Sequence, residues 1–342
     1  MTEVTPVAHS QLSSPQFAGL TEAERRRLLG VICIGGPAEG WHGELPVQNV
    51  AAPLLGRSAG ALKEVWYSAE SCRSGEFAGI RYRVDDNVLY GVIDVEEAVY
   101  RDHPLPLQHA AEDAYRRIFA LLDREGYPHL WRAWNYLAEI NAERNGLERY
   151  RQFNIGRYDA FLASGRLAEG NVPAACALGT ARGPLTIAFM AGRSAPSPIE
   201  NPRQVSAYHY PGEYGPRSPT FSRAAFAQLR GQELLFISGT ASIVGYQTLH
   251  IGDVAGQTRE TLANIEALLQ AANEISRSTP YALAELSLRV YVRHAEDHPV
   301  VQAIVEEKLG ADAPVLYVQA DICRADLLVE IEAMASHKLG NR

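Results

Sequence analysis

Phe236-Ile-Ser-Gly-Thr-Ala-Ser-Ile-Val-Gly245, Gln257-Thr-Arg-Glu-Thr-Leu-Ala-Asn264 and Leu328-Val-Glu-Ile-Glu-Ala333 punctuate one length of chain, residues 236 to 334, in which strand and helix signals alternate. Residues 258–272 carry Leu262, Ile265, Leu268 and Leu269 on one helical face. Leu286, Leu288, Val290 and Val292 alternate with polar or aromatic residues, the pattern of a half-buried strand. Residues 233–238 and 247–251 read as paired strands, 300–308 as a second helix, and 315–322 and 328–333 as closing strands. The order is ββαβαββ.

Upstream, the same order recurs. Residues 79–84 and 88–95 form a hairpin signal across Asp85-Asp86-Asn87. A helix at 107–124, a strand at 130–137, a helix at 147–162 and strands at 173–179 and 185–191 follow. Two copies of one α+β unit in a single chain explain this recurrence. The predicted organisation is an N-terminal extension (1–75, with a short helix at 21–29), a degenerate unit (76–195), a connecting loop (196–231) and a second unit (232–342). The loop is rich in proline and tyrosine, with Pro196, Pro198, Pro202, Pro211, Pro216 and Pro219.

Composition narrows the function. The 342 residues are 46% hydrophobic and 21% charged with net charge −8, and no Lys/Arg block stands out, which disfavours nucleic acid as a partner. Cys33, Cys72, Cys176 and Cys323 are scattered without metal-ligand spacing. With a polar start and no apolar run near the ~20 residues that span a bilayer, they point to a cytoplasmic protein with no membrane partner. Phosphate-binding loops, nucleophile elbows and HExxH are missing, so neither a metal nor a nucleotide cofactor is expected. The glycine-rich run Ile34–Gly40 has the spacing of an ordinary turn.

Three local compositions suit a small cyclic dianion, because guanidinium binds carboxylate through paired hydrogen bonds and a phenol ring both packs and donates. They are Glu148-Arg-Tyr-Arg-Gln-Phe-Asn-Ile-Gly-Arg157, with Tyr150 and Arg157; Tyr208-His-Tyr-Pro-Gly-Glu-Tyr-Gly-Pro-Arg217, with Tyr210, Tyr214 and Arg217; and the C-terminal strands, with Tyr291, Arg293, Cys323 and Glu330. Each has a bland alternative: Arg149 and Arg151 as solvated surface, the tyrosines as pins for a long loop, Arg293 as one member of an exposed strand face with Tyr291 and Arg289. Glu330 and Glu332, two apart, share a face of the last strand, and such pairs are usually surface.

Residues 236–334 resemble the RidA/YjgF family of enamine and imine deaminases in motif order and spacing, although Val315 stands where that family keeps a carboxylate-gripping arginine. The implied fold is two RidA/YjgF-like (chorismate-mutase-like) units fused as a pseudo-repeat, with a binding cleft between their sheets and a monomer as the expected state. From about Ala78 to Ala335 the chain resembles the chorismatases, which remove pyruvate from chorismate. Trp134-Asn-Tyr, Glu148-Arg-Tyr-Arg-Gln-Phe, Ser238-Gly-Thr-Ala-Ser-Ile-Val-Gly and Cys323 seven residues before Glu330 carry that resemblance. It implies chorismate as substrate, Glu330 as proton donor, and arginines with tyrosines as carboxylate ligands. Cys323 is similar to members that form 3-hydroxybenzoate, whereas Ala241 is similar to hydrolytic members, where the former tend to glycine. The expected product is 3-hydroxybenzoate, with 4-hydroxybenzoate as a possible companion; the alternative is hydrolysis to a dihydroxycyclohexadiene carboxylate. An imine deaminase and a non-catalytic aromatic-acid-binding protein are the rival readings.

Overall fold

The computed structural model describes residues 6–36, 43–56, 61–167 and 172–339, so residues 37–40 of the glycine-rich run lie outside it. Three sheets account for the architecture. The second holds six strands in the order Ala174–Thr180, His129–Ala138, Leu185–Gly192, Val88–Val95, Ile80–Val84 and Arg73–Phe77. The third holds six in the order Ser197–Ile199, Ala224–Leu229, Gln232–Ala241, Val329–Lys338, Ser287–Val292 and Val315–Gln319. In each unit the strand that follows the first helix pairs in parallel with the strand that follows the second: Ala174 with Arg132, Leu288 with Val315. That shared crossover is the structural content of the repeat.

Helices Pro106–Glu125 and Arg149–Ala163 cover the outer face of the second sheet, and Val254–Ile275 and His298–Leu309 that of the third. The inner faces meet in one central core that takes Trp134, Tyr136, Cys176 and Met190 from one unit and Phe236, Ala241, Tyr291 and Val318 from the other. Burial on both faces corrects the half-buried reading of Ser287–Val292: Arg289 and Tyr291 are as enclosed as their apolar neighbours. A two-sided burial leaves no polar face for periodicity to report.

The first sheet was not foreseen. Strands Val7–Ser13, Leu62–Ser68, Leu28–Ile34 and Val47–Val50 lie in that order within what the sequence offers as an extension with one short helix, of which Glu22–Arg27 forms. The sheet delivers Leu29, Ile32, Ile34 and Trp66 to the central core. Its four strands are short and separated in sequence, and Val7–Ser13 is mostly polar, so no window shows a strand period.

Two further expectations are corrected. The connecting loop 196–231 contains strands Ser197–Ile199 and Ala224–Leu229, and the latter pairs with Gln232–Ala241 in place of the expected 247–251. Only Gln247–Thr248 is extended there, in a two-residue hairpin with Ile243–Val244. The small alanine-rich segment 224–229 carries a weak strand propensity that tertiary packing overrides. Among the described residues no helix is long and apolar enough to cross a membrane.

Candidate active site

Glu330 lies in strand Val329–Lys338 directly opposite Ala241 of Gln232–Ala241. The pairing register shifts between Ile237 and Thr240, and that irregularity places Gly239 beneath the Glu330 carboxyl. A Cβ on Gly239 would fall on Glu330 Oε1, with the Cys176 side chain closing the other side, so only glycine fits here. Ser238 anchors the irregular segment: its hydroxyl donates to Ser222 O (2.6 Å) and accepts from Ala175 N (2.8 Å) of the other unit.

Around this carboxyl is a cavity of about 240 Å³ lined by Glu330, Cys323, Tyr150, Tyr210, Tyr214 and Ala241, all expected from sequence as site residues, by Glu148 and Arg151 of the first candidate stretch, and by Phe221, Arg223, Ile243 and Arg324, which sequence does not single out. Glu330 is 3% exposed and, among the described residues, has no ion-pair partner. Burial raises its pKa, and the nearby Glu332 charge raises it further; Arg132 and Arg293 pull the other way, leaving it at about 8. It is therefore a protonated acid at neutral pH. The Cys323 thiol is a long, weak donor to Glu330 Oε2 at 4.0 Å. Burial and then Glu330 push that thiol up to about 12, so it stays an S–H group rather than a thiolate.

The opposite wall is cationic and aromatic. Arg223 Nη2 donates to Tyr210 Oη (2.7 Å) and Val205 O (2.8 Å). Arg324 Nη1 donates to Tyr246 O (2.8 Å), and its guanidinium lies 4.1 Å from the Tyr214 ring centre and 5.3 Å from that of Tyr210. Neither arginine has a carboxylate at ion-pair distance among the described residues, and Arg223 Nε and Arg324 Nη2 are buried without an acceptor. A buried and a half-buried cation with donors to spare form a receptor for an anion bearing more than one carboxylate. Tyr210 and Tyr214 sit in the short turns Ala207–His209 and Gly212–Tyr214 or immediately after them, with rings 5.4 Å apart, and roof the cavity.

Three expected substrate ligands lie elsewhere. Arg157 is 2% exposed inside the outer core of its unit, stacked against Tyr115, Phe153 and Phe161. It lies two turns beyond Tyr150 on the same helix and is not among the residues that line the cavity. Arg217 points outward, half exposed, over Tyr158 with Asp159 at 3.6 Å. Arg293 is not a surface residue: it binds Asp321 Oδ1 (2.7 Å), Asn141 Oδ1 (3.1 Å) and the carbonyls of Ile322, Arg324 and Leu327. It shapes the turn that presents Cys323 and Arg324. Arg149, read as possible solvated surface, is buried in a bidentate pair with Glu97.

Arg223 and Arg324 left faint sequence signals. Arg324 follows Cys323 directly, and Arg223 immediately precedes strand Ala224–Leu229, within the segment that sequence offers as a connecting loop. Val315, where the deaminases keep an arginine, packs against the outer core of the third sheet.

Residues 64–191 match the family described as chorismatase FkbO/Hyg5-like, N-terminal, and residues 220–337 match endoribonuclease L-PSP. The chain is 36% identical over 323 residues to a 3-hydroxybenzoate synthase of Streptomyces hygroscopicus, covering 90% of this chain and 92% of that protein. It is 39% identical over 282 residues to a chorismatase of Streptomyces rapamycinicus, covering 80% and 82%. A solved chorismatase structure superposes with TM-score 0.85 at 33% identity, covering 98% of this chain and all of the other. With both units matched along nearly the whole length, the chain belongs to the chorismatase family.

Proposed function

We propose that this protein removes pyruvate from chorismate by general acid catalysis and releases 3-hydroxybenzoate. The observation that carries the reading is a buried Glu330 with no ion-pair partner sharing one cavity with two guanidinium groups that have no carboxylate partner among the described residues and donors to spare. Chorismate is a cyclohexadiene with a ring carboxylate and an enolpyruvyl ether bearing a second carboxylate. Arg223 and Arg324 hold the two carboxylates, and Tyr150, Tyr210 and Tyr214 pack on the ring and side chain.

Glu330 delivers its proton to the methylene carbon of the enol ether. The resulting oxocarbenium ion makes the ether a good leaving group, the ring carbon–oxygen bond breaks, and pyruvate departs with that oxygen. As that bond breaks, the oxygen of the ring hydroxyl on the neighbouring carbon closes onto the carbon that loses pyruvate and gives its proton back to the Glu330 carboxylate, forming an arene oxide. The oxide opens at the bond to the carbon that first bore the hydroxyl, its oxygen takes up a proton, and loss of a ring proton restores aromaticity with the hydroxyl in the 3-position; direct proton loss without this migration would give 4-hydroxybenzoate. Chorismate and the sum of the two products are isomers, so no oxidant and no net water are required.

Cys323 supports the aromatising branch. Its neutral thiol stands beside the acid as a weak donor that excludes water from that side, and water is what the hydrolytic branch needs. Ala241 opposite Glu330 is the feature shared with hydrolytic members. No arginine occupies the Val315 position, which removes the ligand on which the deaminase reading depends. The protein is a cytoplasmic monomer in this reading: its four cysteines are free, and the two fused units bury against each other the faces that separate subunits would offer.

Incubation of the purified protein with chorismate tests the function, with pyruvate followed enzymatically and organic products by chromatography with mass detection. Stoichiometric pyruvate and 3-hydroxybenzoate are expected; a non-aromatic diol would transfer the protein to the hydrolytic branch, and no pyruvate would refute the reading. Light scattering should give the mass of one chain.

A further inference from the structure

Behind the cavity, where all three sheets meet, lies a buried cluster of charges. Glu332 pairs with Arg132 of the second sheet and with Arg289 of its neighbouring strand, the latter at 2.7 Å. Arg289 also pairs with Glu64 of the first sheet. Tyr291 Oη donates to Glu332 Oε1 (3.0 Å), and Arg289 Nη1 donates to Tyr136 Oη (2.7 Å). All four charged side chains are 6% exposed or less. Burial works to raise the Glu332 carboxyl, but Arg289 and Arg132, aided by Cys176 and Tyr291, hold it below its ordinary value. His9, 3.6 Å from Glu64, is pushed down to about 3 by burial and by Arg289, and so adds no charge.

Two guanidinium groups therefore balance two carboxylates, and nothing is left over for Glu330, whose side chain projects from the same strand face as Glu332. We infer that Glu332 is a positioning residue for the acid: its permanent negative charge, held in place by Arg132 and Arg289, keeps the proton on Glu330. This inference rests on the proposed role of Glu330.

Other groups also face Glu330. Tyr291 on the adjacent strand, Cys176 on the second sheet, Tyr150 on the helix and Cys323 on the turn are all pushed up by burial and stay neutral. Burial raises Glu148 at the far wall, 3.3 Å from Arg151. Arg293 is committed to Asp321, and Arg223 and Arg324 face the substrate.

The test compares Glu332→Gln with Arg132→Gln. Two readouts are taken: the basic limb of the kcat/KM–pH profile, and the carboxyl carbon resonance of Glu330 in protein labelled at glutamate, assigned by its loss in Glu330→Gln. Glu332→Gln should move both downward by about one pH unit or more, with activity recovering on the acid side. Arg132→Gln should move both upward. Shifts of the same sign in the two variants, or no shift in either, would overturn the inference, because a purely structural role lowers activity without opposing titrations. If Glu332→Gln fails to fold, the upward shift in Arg132→Gln decides alone, and its absence refutes. The resonance titration needs no turnover, so a protein inert toward chorismate would sink the proposed function while still deciding the role of Glu332.

Discussion

Burial holds Glu330 in its neutral form and disfavours its charge, and two outcomes follow. Glu330→Gln removes the proposed proton donor and should lower kcat by about 10²–10⁴-fold, measured by pyruvate release. The same substitution should stabilise the protein at high pH. A carboxyl whose folded pKa is raised binds its proton more tightly when folded, so its favourable contribution is present below the ordinary carboxylate range and is lost as pH rises through about 8. Chemical denaturation at pH 9 should therefore show the variant more stable than the parent, with the difference vanishing near pH 4; a difference independent of pH would contradict the burial of a neutral acid. Cys323→Ala should divert product from 3-hydroxybenzoate toward the diol, because it opens space for water beside the acid, and an unchanged product ratio would remove the thiol from the mechanism. Residue types at this site were legible in sequence: Glu330, Cys323, Tyr150, Tyr210, Tyr214 and Ala241 all reach the cavity. Arg157, Arg217 and Arg293 do not, because sequence shows that an arginine is present but not whether a carboxylate or an aromatic shell already claims it.

At the scale of elements, close backbone approaches set the geometry. Helices Pro106–Glu125 and Arg149–Ala163 cross at Gly156, where an added Cβ would fall on Gln108 O. Gly156→Ala should cost about 1–3 kcal/mol in denaturant unfolding and displace Tyr150 from the cavity wall, raising KM. The turn from Asp321 to Leu327 is held by the single guanidinium of Arg293. Arg293→Lys keeps the charge but loses the fork that reaches several carbonyls at once. A lower kcat together with a higher KM is expected, since Cys323 and Arg324 ride on the same turn; an effect on KM alone would mean that Arg293 binds substrate directly. The helices and most long strands were legible because each has one face against its own outer core. Strand Ala224–Leu229 was not, since its pairing with Gln232–Ala241 rather than its own residues makes it a strand.

Over the whole molecule, three sheets share one core, so the chain should unfold in a single transition. Trp66 contacts the rings of Trp134 and Phe236 at centroid separations of 5.8 and 6.1 Å, tying the first sheet to both others. Removal of residues 1–70 would expose the central core and strip Glu64 from Arg289. The truncated protein is expected to be insoluble or to melt without cooperativity in calorimetry, and a soluble, cooperatively folded product would show the first sheet to be an appendage.

The amino-acid sequence by itself determined the two α+β units and the order of most of their elements, because these rest on local periodicity; Glu330 as the acid came only from the family resemblance and remains the proposal made above. Tertiary structure alone decided three things: that strands Val7–Ser13, Leu28–Ile34, Val47–Val50 and Leu62–Ser68 form a sheet, that the Arg289 and Tyr291 face is interior, and that Arg223 and Arg324 rather than Arg157 and Arg217 line the cavity with Glu330. Burial, ion pairing and the loss of water around a charge are properties of what surrounds a residue. Those surroundings come from strands hundreds of residues apart, as Glu64 and Glu332 meet on one guanidinium.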